Sequence, residues 1–126
     1  MEKQIINTND APLPIGPYNQ AILAGETLYI AGQICIDPST GNLKNADVKE
    51  ETEQVMINLQ AILKAADMNF HNVVKTTIFI TDMKQFAEIN KVYGKFFTES
   101  FPARETVQVA ALPKFVNVEM SMIAVR

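Results

Sequence analysis

The chain has 126 residues, 48% apolar and 20% charged, with a formal net charge of −3 and a pI near 5.1. A chain of this length buries about two-thirds of its extended surface on folding, so it needs no disulfide or metal staple. The acidic balance argues against a nucleic-acid-binding surface, which takes a basic patch. The single cysteine, Cys35, excludes an internal disulfide and points to a reducing compartment. The opening segment MEKQIINTNDAP lacks the basic region and apolar run of a signal peptide, and no stretch approaches the length of a membrane span. The expectation is a soluble, cytoplasmic protein with one domain, residues 1–126.

In chain order, residues 3–8 read as a short strand. Tyr18 to Leu23 and Thr27 to Ile34 flank Ala24-Gly25-Glu26, which predicts a hairpin with glycine supplying a positive φ. Residues 37–42 form a loop rich in turn formers. Asp47 with Glu50 predicts a helix cap. Val48, Val55, Leu59, Ile62 and Ala66 then share one face, with Met56 and Leu63 beside it. This helix has about five turns at 3.6 residues per turn and is expected to end near Asn69.

Val73 to Thr81 reads as a strand. Asp82 caps a second helix with an apolar stripe of Phe86, Ile89, Tyr93, Phe96 and Phe97. Strands over 106–111 and 116–125 are read as a closing hairpin. The order βββαβαββ implies a mixed sheet with both helices on one face, an α/β (α+β) fold. In the last strand Val118, Met120, Met122 and Ala124 face one way, and Asn117, Glu119, Ser121, Ile123 and Val125 the other. A half-apolar face with no helix to cover it points to a homo-oligomer; scattered exposed apolar residues on a monomer are the alternative.

Two charges interrupt the final strands. Strand parity, with apolar faces matched across the expected hairpin, places Arg104 and Glu119 on the same, helix-free side, with Glu105 opposite. Periodicity alone reads most readily as a structural ion pair at a strand end.

FPAR at 101–104, the Val-alternating strand after it, Leu112-Pro113-Lys114 and Val118-Glu119-Met120 resemble the signature of the Rid family, the YjgF-type reactive intermediate deaminases. Ile15 to Tyr18, Ala31-Gly32-Gln33, Val74 to Thr77, and Asp82-Met83 through Asn90 and Tyr93 also resemble family segments, in order. The resemblance covers essentially the whole chain and is greatest to the RidA branch. It implies a chorismate-mutase-like fold, a homotrimer and sites in the clefts between subunits. The implied reaction is hydrolytic deamination of 2-aminoacrylate or 2-iminopropanoate and related imines to 2-oxo acids and ammonia, with no cofactor or metal.

On that resemblance Arg104 holds the substrate carboxylate through its two-pronged guanidinium, and Glu119 orients and deprotonates water. Tyr18 lines the pocket, Gly32 lets backbone approach the ligand, and the Thr106 backbone contacts it. Asn90 either takes part directly or is a buried amide holding a loop. Three positions depart from the usual pattern: Ala31 where serine is frequent, Glu105 where a small residue is, and Thr106 where cysteine is. They bear on substrate preference and rate. For Glu119, burial and the nearby Arg104 are expected to pull the pKa in opposite directions.

His71 reads as a solvated loop residue and Cys35 as a small core residue. No GxGxxG or phosphate loop supports a nucleotide cofactor. A non-enzymatic metabolite-binding regulator using the same cleft is the alternative function, with a ribonuclease or translation inhibitor third.

Overall fold

A computed structural model describes residues 2–126. Six strands form one sheet: β1 (Lys3–Ile6), β2 (Ala21–Ala24), β3 (Thr27–Gln33), β4 (Val73–Ile80), β5 (Ala103–Gln108) and β6 (Val118–Val125), in the spatial order β1-β2-β3-β6-β4-β5. Two helices, α1 (Val48–Ala65) and α2 (Phe86–Gly94), complete the expected βββαβαββ order. All neighbouring strands are antiparallel except β4 and β5. Among the described residues no helix is long and apolar enough to cross a membrane.

Local chemistry sets the element ends. Gly25 turns the β2–β3 hairpin at φ 61°. The Asp47 side chain accepts from the Glu50 backbone N–H at 2.8 Å and starts α1. Asp67, at φ 57°, stops it: the Asp67 N–H donates to Lys64 O and the Met68 N–H to Leu63 O, both at 2.9 Å, a Schellman ending. The helix therefore falls short of Asn69, which instead caps a 3-10 turn over Phe70–Asn72 through reciprocal side-chain bonds. The Asp82 side chain caps a second 3-10 turn, Met83–Gln85, that leads into α2.

The expected closing hairpin does not form. β4 lies between β5 and β6, so the last two strands do not pair. The α2 crossover returns β5 parallel to β4, as a helical connection allows. β6 is buried at every second residue, Val118, Met120, Met122 and Ala124, and takes the central place between β3 and β4. The intervening segment holds a 3-10 turn at Pro113–Phe115, with Lys114 and Phe115 both at φ 56°. That path carries the chain over β4 rather than back along β5.

α1 packs on β6 and β3 and against α2. Its face of Val48, Val55, Met56, Leu59, Ile62 and Leu63 is buried, as the periodicity predicts. The other face of the sheet carries no helix. There Tyr29 is 50% and Val107 42% exposed, while Phe79, Ser121, Ile123 and Val125 are half-buried.

Candidate functional site

Arg104 and Glu119 do not share a side. Arg104 is in register with Thr76, which is in turn in register with Met122. Both are fully or almost fully buried on the helix-covered face. Glu119 is in register with Phe79, on the helix-free face. The parity expectation fails because it assumed a β5–β6 hairpin; with β4 inserted, the register between the two strands is set by two successive pairings.

The Arg104 side is built by α2. The Asn90 amide oxygen accepts from Arg104 Nη1 at 2.6 Å. The guanidinium carbon lies 5.0 Å from the Tyr93 ring centroid and 5.6 Å from that of Phe86, within cation–π range. Tyr93 donates its hydroxyl to Thr76 Oγ1 at 3.0 Å; burial pushes the Tyr93 phenol up, against the downward pull of that bond and of Arg104. Asn90 is thus neither buried nor holding a loop: it is exposed and orients the arginine. The spacing 86, 90, 93 places all three groups on one helix face, a signal that the stripe reading took as packing alone. An open cavity of about 310 Å³, lined by Asn90, Tyr93, Gly94, Phe101, Pro102 and Arg104, lies here. Thr106 faces the same way, and its hydroxyl is buried with no hydrogen-bond partner. Glu105 points to the opposite side, as expected, where it pairs with Lys75 at 2.7 Å.

The Glu119 side brings Tyr18, Gly32 and Glu119 together. They line two adjoining cavities, an inner one of about 60 Å³ reaching Ile34 and Ile36 and an open outer one of about 330 Å³ bordered by Ile15, Ala31 and Pro113. Burial raises the Glu119 carboxyl above the ordinary glutamate range; Arg104, on the other face, exerts no opposing pull. Gly32 serves the carboxylate itself: a Cβ there falls 2.9 Å from both Glu119 Cδ and Oε1. The Tyr18 hydroxyl accepts from the Ile15 N–H at 3.3 Å. Gln20, fully buried, holds the preceding loop by donating to the carbonyls of Thr8, Ala11 and Pro12.

Other titratable groups stay apart from both clefts. Cys35 is buried, and its thiol is pushed up to about 11 by burial and then by the charge of Glu51, which makes it a poor nucleophile. His71 sits on the 3-10 turn and lines a separate cavity with Phe70, Phe96 and Phe97. Among the described residues no three His, Cys, Asp or Glu side chains are grouped to hold a metal ion.

The mixed α+β sheet thus carries a partly buried carboxylate in one cleft and an anchored guanidinium in another. The chain belongs to the Rid (YjgF-type) family, whose model, described as Endoribonuclease L-PSP, matches residues 8–126. It is 51% identical to a RutC family protein of Pyrococcus horikoshii over 97% of each chain. It is 46% identical to the human 2-iminobutanoate/2-iminopropanoate deaminase, over 98% of this chain and 90% of that one. Its fold superposes on Escherichia coli TdcF with bound serine at a TM-score of 0.94, with 43% identity and 98% of each chain covered.

Proposed function

We propose that this protein is a 2-iminobutanoate/2-iminopropanoate deaminase, a single Rid-type domain over residues 1–126 that acts in the cytoplasm as a homotrimer without metal or cofactor. The observation that carries the reading is the pair of complementary half-sites: an aromatic-caged, Asn90-anchored guanidinium at the edge strand β5, and a partly buried carboxylate seated on Gly32. Within one chain they open on opposite faces of the sheet. In the proposed trimer Arg104 of one subunit meets Glu119 of the next, in a cleft between them. The uncovered face with Tyr29, Phe79, Ile123 and Val107 supplies the apolar contact for that assembly. The deaminase name of close relatives supports the same reaction class.

In this cleft Arg104 grips the substrate carboxylate through N–H donors left free by Asn90. Tyr18 and the backbone at Gly32 and Thr106 border the substrate. Glu119 takes a proton from water as the water oxygen bonds to the imine carbon. The protonated carboxyl then delivers that proton to the amino nitrogen of the tetrahedral adduct. The carbon–nitrogen bond breaks as the regenerated Glu119 carboxylate takes the proton of the adduct's hydroxyl, giving a 2-oxo acid and ammonia. Desolvation suits Glu119 to this exchange, because a carboxyl raised toward neutrality both accepts and returns a proton readily.

The test is ammonia release from 2-aminoacrylate generated in situ by a serine dehydratase. The wild-type chain accelerates it, and Arg104→Ala and Glu119→Gln abolish the acceleration while remaining folded. Full activity in either variant refutes the assigned roles.

A second reading has one specific support: a solved relative, TdcF, holds serine, a ligand with no imine. On that reading the cleft senses a small amino or oxo acid and signals to another protein. Glu119→Gln separates the two, since a sensor keeps its response and a hydrolase loses turnover. Ribonuclease chemistry, which the family's description names, finds little support: the net charge of −3 argues against phosphate-backbone binding, and the one histidine, His71, borders neither cleft.

A further inference from the structure

Glu51 is a carboxylate with no solvent exposure, on the sheet-facing side of α1. It has no cationic partner: the one ion pair among the described residues is Lys75–Glu105. Three N–H donors surround it instead. Oε2 accepts from the backbone N–H groups of Asn117 at 2.7 Å and Val118 at 2.8 Å, and Oε1 from Asn117 Nδ2 at 2.8 Å. Burying a charge this way is costly unless every lone pair has work, and α1 has apolar residues enough for its packing. The donors are what single this residue out: two consecutive peptide groups immediately before Glu119.

The polar seam continues along the helix. Gln54 Nε2 donates to Asn58 Oδ1 at 2.8 Å, and Asn58 Nδ2 donates to the carbonyls of Ile34 at 3.0 Å and Ile36 at 2.9 Å. Ile34 and Ile36 line the inner cavity beside Glu119. One helix thus holds both walls of the Glu119 cleft from behind, through buried hydrogen bonds whose loss leaves groups without partners.

Clearance in that cleft is tight. Glu119 packs so closely on Gly32 that not even a methyl group fits between them. A small slide of β6 at Val118 therefore moves the carboxylate off its seat. We propose that Glu51 is a positioning residue: by holding the Asn117 and Val118 N–H groups from the far side of the sheet, it fixes the placement of the Glu119 carboxylate for catalysis. This rests on the deaminase reading above, in which Glu119 is the base.

The test compares Glu51→Gln, Glu51→Asp and Glu51→Ala with Glu119→Gln in the full chain. The measurements are kcat and KM on 2-aminoacrylate made in situ, 2-oxobutanoate affinity by calorimetry, and melting temperature. Glutamine keeps an oxygen for the two backbone donors and is expected to retain most of kcat. Aspartate falls short and alanine offers nothing, so both lower kcat by about 10–100-fold, as misplacement of a catalytic group does. KM and 2-oxobutanoate affinity, set by the Arg104 side, stay unchanged. A folded alanine or aspartate variant with wild-type kcat overturns the proposal. So does a parallel loss of affinity and kcat, or failure of both variants to fold, because the residue then serves the fold as a whole. If Glu119→Gln is inactive while Glu51→Ala is fully active, only this inference fails; if Glu119→Gln is fully active, the assignment of the base fails with it.

Discussion

Arg104 and Glu119 project from opposite faces of one sheet, the first clamped between Phe86, Tyr93 and Asn90 of α2, the second resting on Gly32. On the deaminase reading proposed above, a single chain carries two halves of a site, and a reaction that uses both needs a second copy. That geometry makes a prediction no single-subunit site makes. Arg104→Ala and Glu119→Gln, each inactive alone, regain activity when co-expressed or refolded together. With random mixing in a cyclic trimer, about a quarter of the clefts receive both native residues. Recovery near that fraction in ammonia release supports shared clefts; no recovery from verified mixed oligomers rejects them.

Gly32→Ala tests the seat of the carboxylate. The new methyl group meets the flexible end of Glu119 rather than backbone, so the side chain swings away and the fold tolerates the change. Stability is expected to stay within about 1 kcal/mol, while kcat falls about tenfold or more. A stable variant with unaltered kcat shows that the contact with Gly32 does not set the position of Glu119.

The acidic limb of the kcat/KM profile follows Glu119. Its pKa is raised by burial, so activity declines with acidification at a pH above the ordinary glutamate pKa, and that limb disappears in Glu119→Gln. The stability sign runs the other way. Between the unfolded and the higher folded pKa the native state binds the extra proton, so raising pH through this window costs stability. Glu119→Gln is accordingly more stable than wild type at pH 7, with the gain shrinking toward pH 4, measurable as melting temperature against pH.

Asn90 separates orientation from charge. Asn90→Ala frees the guanidinium to swing and is expected to raise KM by about tenfold, the worth of one charge-assisted hydrogen bond. Asn90→Asp presents an anion at the same 2.6 Å position, where it competes with the substrate carboxylate and raises KM further. Equal KM values for the two variants rule out competition for Arg104.

Thr106→Val addresses the buried hydroxyl with no partner. Replacing it with a methyl group of similar shape removes a desolvation penalty, and a gain of about 1 kcal/mol in stability is expected with activity unchanged. A fall in kcat/KM assigns the hydroxyl, rather than the Thr106 backbone, to the substrate.

Much of this protein was legible in its residues. Alternation along β6 and the 48-55-59-62 face of α1 fixed which side chains enter the core, because burial imposes the periods 2 and 3.6 on any strand or helix that packs. Gly25 and Asp47 marked their turn and cap because those bonds close within a few residues, whereas Asp82, read as the cap of the second helix, caps the 3-10 turn before it. The ordered family segments singled out Arg104, Glu119, Tyr18 and Gly32 as candidates; the fold brings the last three together and sets Arg104 apart beside Asn90 and Tyr93.

What tertiary structure alone decided is pairing over distance. Nothing local in 103–125 distinguishes a hairpin from two strands separated by β4, since either satisfies the same alternation. That choice turned Arg104 toward α2 and left Glu119 on the open face. Glu51 likewise reads as one more acid in a helix's first turn. Only the fold brings the N–H groups of Asn117 and Val118 to it, because hydrogen bonds between residues far apart in sequence leave no periodic trace in either segment.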